Sequence, residues 1–450
     1  MSINSVNTYY KPITDGQKAS SLSDKKTASL NNNNNEKIDL KTVSSNNVLA
    51  YHASFNGLGD KFKEMSKMRA VSKHLDAKGK EYFKQLKASG VLNNTNSNDS
   101  SSVLDNLYRI STTERLQGIS KENILRETVK LLANPYSISQ KFGDLPQEII
   151  PKIEQETNSK VPQEAYNVSS ATCFATSIEF NLAQKQPAEF TRMVEGLTSP
   201  EYSVKKQLKV SDLSPNYTEA LHELNQFKTE YKIESDWNTL TVNLKPDRNA
   251  IVRARVQNSY KDENERSCVD VLMQSMIMNL GSQHTYDALT DIRTGELNPD
   301  STGLTNQEGN FANKILEGKH KISVIYQDLD ANGRLVSHYY DTDTIKNHID
   351  QALDSGNNLI VGYTILDDNN TVLGGHEVTL TGKTVQDGKT YYICNDSDDE
   401  NPEPILMEQE SFIPKIHHAD LPAEIFSGVE EEAKNQWKYE LQAMKDDWLK

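Results

Sequence analysis

The sequence predicts an α+β protein, helical through its leading part and built of antiparallel strands in its last third. Three observations carry this reading. Apolar residues recur at spacings of three to five through 56–90 (Phe62, Met65, Met68, Val71, Leu75) and 103–154 (Leu104, Leu107, Ile110, Ile124, Val129, Leu132). Short alternating runs bounded by Asp, Asn or Gly turns fill 322–395. The first 50 residues are rich in Ser, Asn, Lys and Thr, with a run Asn31–Asn35. They carry too little apolar surface to offset their ordering entropy, so a disordered tail is expected at 1–50.

Length and charge narrow the function classes. At 450 residues the chain has room for two or three folding units, and 36% apolar residues suffice for a sizeable core. The net charge is −15 and no dense Lys/Arg stripe is legible, which argues against nucleic acid or an anionic membrane as the main partner. The three cysteines, Cys173, Cys268 and Cys394, form neither a disulfide framework nor a Cys-x-x-Cys pair. No run approaches 18 apolar residues, and the start lacks a basic-then-apolar leader, so neither a membrane span nor a Sec signal is expected. Location stays open between the cytoplasm and export by a signal-independent route.

The elements follow in order. A helical N-terminal region is expected over 51–155, interrupted by Pro135, Pro146 and Pro151. Helices are read at 170–195, at 217–232, and at Cys268–Leu280 with Gly281 as its stop. Strands are read at 239–244 and 250–256, the latter with Ile251, Arg253 and Arg255 outward. A hairpin turns at 330–333, a helix covers Thr344–Leu353, and strands cover Leu359–Leu366, Val372–Leu380 and Thr390–Asn395. A charged helix closes the chain over 426–450, with Trp437, Leu441, Met444 and Trp448 on one face.

Three motifs carry chemistry. In Asn167–Leu182, small polar residues stop at Cys173, and Ala175, Ile178 and Leu182 then share a helical face. Ser170 or Thr172 can cap that helix. Cys173 would sit in its first turn, where the helix dipole favours a thiolate and free amides can hold an oxyanion. In Gly374-Gly375-His376, two glycines let another backbone approach, and His376 opens a strand shared with Val378 and Leu380. In Tyr391–Ser397 a strand ends on Asn395 and Asp396, either of which can orient an imidazole. Placing His376 opposite Asp396 implies a five-residue loop, Thr384–Gly388, whereas a two-residue Asp387-Gly388 turn would bring Asp399 opposite. The first arrangement is preferred, with Asn395 as the alternative third member.

Cys at a helix start, Gly-His opening a strand, and a Tyr-rich strand ending in Asn-Asp-Ser resemble the papain-like cysteine peptidase superfamily over about 165–400. The resemblance implies a two-lobed domain, helical lobe plus antiparallel β lobe, over 156–425, with a helical insertion at about 200–320. It implies a Cys173–His376–Asp396 triad, a thioester acyl-enzyme and a protein or peptide substrate, with no cofactor and no metal. The usual oxyanion-donating Gln before the nucleophile is absent. Asn167 and Gln163 are the candidates in its place. The region 51–155 would then recruit substrate or act as a pro-segment.

Two competing readings keep different parts of this evidence. A transglutaminase- or acyltransferase-like enzyme would use the same three residues with an amine acceptor. A helical interaction protein would carry an inactive papain-like domain. Cys268, with Leu272 and Met276 at helical spacing, and Cys394, within a strand, read as core. His417 and His418 read as solvated loop residues, and His376-Glu377 is no zincin because Leu380 occupies the second His position.

Overall fold

The computed structural model describes residues 58–141, 150–157, 160, 171–260, 266–295, 303–330, 333–399 and 401–436. The expected tail, Gln163, Asn167, Ser170 and the C-terminal Trp437–Trp448 stripe lie outside the described residues.

The N-terminal region is helical as its periodicity predicts. Helix α1 spans Leu58–Lys73 and α2 spans Ala77–Ala88, where the Asp76 side chain accepts from Gly79 N–H. Helix α3, Val103–Thr112, opens on a Ser102–Asp105 capping box, and α4, Lys121–Ala133, on Ser120. The helices α5 (Ile150–Thr157), α6 (Cys173–Lys185) and α7 (Pro187–Leu197) follow. Pro187 breaks α6 from α7 because it cannot donate into a continuing helix.

The expected boundary near 155 does not separate two cores. Leu75, Leu107, Ile110, Val129 and Leu132 are buried in the same cluster as Phe174, Ile178, Leu182, Met276 and Phe311. The apolar stripe of α3 is completed by α7, and that of α4 by α10, α6 and α7, so the N-terminal helices share the core that lies under Cys173. A detachable pro-segment would not supply that core.

Residues 200–320 are mixed rather than a helical insertion. Strands β1 (Val204–Lys209), β2 (Tyr231–Ile233) and β3 (Thr239–Leu244) form an antiparallel sheet in the order β1-β3-β2. Helix α8 spans Tyr217–Gln226 and stops short of the expected residue 232. The expected strand at 250–256 is helix α9, Ala250–Tyr260. Its buried residues 252–254, 256 and 257 follow the helical repeat, and Arg253, expected outward, is buried. Helix α10 (Cys268–Gly281) starts on a Ser267–Asp270 capping box, the two-residue strands β4 (Tyr286–Asp287) and β5 (Ile292–Arg293) pair, and α11 covers Asn306–Glu317. A Cβ at Gly309 of α11 would overlap the Phe174 ring, so this glycine sets how closely α11 approaches the start of α6.

The last third holds strands β6 (Lys321–Ile325), β7 (Gln327–Leu329), β8 (Leu335–His338), β9 (Leu359–Leu366), β10 (Val372–Gln386), β11 (Lys389–Asn395), β12 (Ile405–Glu408) and β13 (Ile416–Pro422). Six of them make one antiparallel sheet, ordered β12-β11-β10-β9-β13-β6. Helices α12 (Thr342–Asp354), α13 (Gln409–Phe412) and α14 (Ala423–Phe426) complete this part. A second hydrophobic core holds Ile345, Ile349, Leu359, Val361, Val378, Leu380 and Phe412. The sheet is shared: Leu359 and Val361 enter this core, while Ile360 between them enters the helical one. His417 and His418, expected in a solvated loop, are buried in β13, which is paired on both sides by β9 and β6.

One core through the N-terminal helices makes a stability prediction. Leu107→Ala should lower the unfolding free energy by about 2–5 kcal/mol, seen as an earlier midpoint of a single transition. Circular dichroism in a denaturant series checks it; a separate early transition in the wild type would mean two independent cores.

Candidate active site

Cys173 is the first residue of α6, and the first intrahelical bond runs from Thr176 N–H to the Thr172 carbonyl, 2.8 Å. The amides of 173–175 therefore precede the helical ladder, and the positive end of the helix dipole lies at the sulfur. Thr172 occupies the cap position but its side chain does not cap. Its hydroxyl donates instead to Gln274 Oε1, 3.0 Å, inside the core. Cys173 is half-buried, whereas Cys268 and Cys394 are buried.

His376 lies in β10 opposite Tyr363 of β9, whose ring meets the imidazole edge-on at a centroid distance of 5.8 Å. Its Nε2 is 2.8 Å from Asp396 Oδ1, and the Cys173 side chain lies near enough to the same imidazole to help raise its pKa. Since Asp396 occupies Nε2, Nδ1 is the nitrogen left to serve the thiol. Burial alone would lower the pKa of His376. The Asp396 carboxylate, by charge and hydrogen bond, and the nearby Cys173 side chain more than reverse this, so the imidazole stands well above its ordinary value. Burial would raise the Asp396 carboxyl, but the facing imidazole holds it below the usual range.

The expected five-residue loop is not formed. Gln386 pairs with Lys389, so the turn is the two residues Asp387 and Gly388, both left-handed at φ 50° and 77°. That is the turn a right-twisted hairpin favours, and Asp-Gly suits it. The expectation had this turn bring Asp399 opposite His376. A β-bulge at Thr381 intervenes: Gly382 pairs with Ile393, but Leu380 pairs with Cys394. Continued unshifted, the register would have set Asp396 against Thr379, facing away from His376. The extra residue sets Asn395 against Thr379 instead, and the next position falls on the His376 side. Asn395 is buried on the other face. Asp399 is engaged with Asn401 through N–H donors at 2.9 and 3.2 Å.

Several contributors carried no sequence signal. The Thr381 hydroxyl donates to the Ile393 carbonyl, 3.2 Å, and lies 3.3 Å from the Tyr136 hydroxyl. Asp398 N–H donates to Asp396 Oδ1, 3.0 Å, closing a turn around the carboxylate. Gln140 holds Ser397 twice: its N–H donates to the Ser397 carbonyl, 3.1 Å, and its Oε1 accepts from Ser397 Oγ, 3.0 Å. The Tyr136–Thr381 and Gln140–Ser397 pairs join residues remote in sequence, so no local spacing reveals them, whereas the Asp396–Asp398 turn is local. A Cβ at Gly374 would meet nothing within 4 Å, so the space beside Gly374 is open. Among the described residues, no group of three His, Cys, Asp or Glu could hold a metal ion.

The arrangement orders a carboxylate, an imidazole and a thiol from three separate elements. It can draw the thiol proton onto the imidazole and aim the thiolate beside first-turn amides. Comparison with protein-family models, with curated proteins and with solved structures found no match.

The bulge is testable. Deleting Thr381 removes the extra residue but leaves Leu380 opposite Cys394 and Thr379 opposite Asn395, so Asp396 should stay on the His376 side and the imidazole pKa should stay raised, read by NMR titration of the His376 ring. A fall to the ordinary value in a folded variant would show that this register does not align the pair.

Proposed function

We propose that the chain is a cysteine hydrolase of papain-like, two-lobed architecture, with Cys173 as nucleophile, His376 as base and then acid, and Asp396 as orienter. The observation that carries this reading is the single imidazole that Asp396 meets at 2.8 Å and that Cys173 also approaches. Two further features support it. The thiol lies at a helix N-terminus attached to the helical core, and the imidazole and carboxylate lie on an antiparallel sheet with its own core. The substrate class is an amide, peptide or isopeptide.

In this reading the thiolate attacks the carbonyl carbon, and the oxyanion that forms is held by the first-turn amides. The imidazolium gives its proton to the departing amine as the C–N bond breaks, leaving a thioester on Cys173. Water, deprotonated by the neutral imidazole, attacks the thioester and releases the acid and the thiol. An acyltransferase would differ only in placing an amine where water attacks.

Exposure alone favours alkylation of Cys173 over the buried cysteines, so the informative comparison keeps exposure fixed. At mildly acidic pH, iodoacetamide should alkylate Cys173 of the wild type faster than Cys173 of His376→Ala by tenfold or more, because the imidazolium holds the thiolate. Equal rates would remove the activated pair. With p-nitrophenyl acetate, acid-quenched mass spectrometry should find an acetyl adduct on Cys173.

Asp396→Asn tests the orienter. A group whose pKa is raised keeps its charged form until pH passes that raised value, so the Asp396 carboxylate extends the imidazolium toward higher pH. The alkaline limb of kcat/KM should therefore move down in pH in Asp396→Asn, with a fall in kcat. Asn395→Ala should leave the limb in place. The reverse order would transfer the orienting role to Asn395.

A further inference from the structure

Helices α1 and α2 form a basic hairpin in an acidic protein. Residues 58–90 carry nine Lys or Arg against four Asp or Glu, within a chain of net charge −15. The sequence shows no stripe because the cations are divided between two helices and interspersed with acids. Folding brings one face of each helix to a common groove of about 630 Å³.

The groove has an apolar floor and a cationic rim. Met65, Met68 and Phe83 line it; Phe83 is buried, Met68 is half-buried, and Met65 is exposed at the open end. Arg69 and Lys73 stand along the α1 side, and Lys80, Lys84 and Lys87 along the α2 side. All five are exposed, none forms an ion pair among the described residues, and no carboxylate lines the groove. Five like charges around one concavity repel one another. Nothing in the fold's own packing requires them there, because α1 and α2 are held to the core by apolar side chains, Val71, Phe83 and Leu86.

We propose that this groove docks an acidic amphipathic helix of a partner protein. Charge complementarity selects the sign, and the floor selects the shape. From Met65 to Lys73 the lining rises about 12 Å, the length of roughly two helical turns. An occupant would set apolar residues at i, i+3, i+4 and i+7 on the methionines and Phe83, with Asp or Glu at the edges facing the cations. Methionine suits such a floor because its unbranched side chain adapts to different apolar partners. An anionic bilayer fits less well. Membrane-binding faces project apolar side chains beyond their cations into the acyl region, and here Phe83 and Met68 lie recessed below the rim. The hairpin would thus deliver a protein partner, independently of the chemistry at Cys173.

Fluorescence anisotropy with the full chain tests this. The probe is a fluorescein-labelled helical peptide with Leu at i, i+3, i+4 and i+7 and Glu elsewhere. Saturable binding is expected, weakening at least tenfold from 50 to 300 mM salt. Lys80→Glu/Lys84→Glu should weaken it tenfold or more, and Met65→Ser/Met68→Ser should weaken it at unchanged charge. Lys205→Glu/Lys209→Glu, with the same change in net charge on β1, should bind as wild type. Cys173→Ser should also bind as wild type, which separates this proposal from the reading of the active site. Three results would overturn it: no binding of the Glu peptide, equal loss in the β1 control, or sedimentation with phosphatidylserine vesicles that Lys80→Glu/Lys84→Glu abolishes while the peptide fails to bind.

Discussion

A three-residue segment, Ser139–Lys141, fixes both halves of the candidate active site, and two buried polar side chains of the α10 region fix that segment. Gln274 donates to the Ser139 carbonyl at 2.9 Å and to Glu179 at 3.0 Å, and it accepts the Thr172 hydroxyl. Thr172 immediately precedes Cys173. Arg266 donates from Nε to the Gln140 carbonyl at 2.9 Å and from its backbone to the Lys141 carbonyl at 2.8 Å. Gln140 in turn holds Ser397, next to Asp396. The helix that starts at Cys173 and the loop that carries Asp396 are thereby referred to the same short stretch of backbone.

Such a device is costly unless every group in it is satisfied. Arg266 is buried with its guanidinium against Asp291 at 2.6 and 3.2 Å, and Tyr286 donates to the same carboxylate. Removing one partner of a buried pair like this costs about 3–5 kcal/mol, because the other charge is left without compensation. Beside Gln274, burial and then the neighbouring Asp270 push the Glu179 carboxyl well up. Gln274 supplies that desolvated carboxyl with a donor at Oε2.

How much of this was legible follows from what each feature depends on. Periodicity marked α1 to α4, because amphipathic spacing and Ser or Asp caps are local properties. Cys173, His376 and Asp396 were legible because each is announced by its neighbours: a break from small polar residues into a helix, a Gly-Gly pair, a strand end. The register joining the last two was not. It depends on one bulge at Thr381, which is invisible in an alternating run, and the structure brings Asp396 to His376 through a two-residue turn instead of the expected five-residue loop. The strand expected at 250–256 failed because Arg253 was assumed to face solvent. His417 and His418 were misjudged because β13 comes late in sequence but lies centrally in the sheet.

The domain boundary near 155 failed for a related reason. Proline punctuation at 135, 146 and 151 reads as a linker, and composition cannot distinguish a linker from a strap that crosses a core. Here the stretch that follows Pro135 is the strap: Tyr136 touches the bulge, and Gln140 holds the loop beyond β11. The consequence is a division of labour within one continuous helical core. Helices α3 and α4 share the core that lies under α6, the strap aligns thiol and carboxylate, and α1 and α2 turn a basic groove outward at the far end of the same N-terminal stretch. The groove and Cys173 therefore stand on one core as separate places, with no lining residue in common.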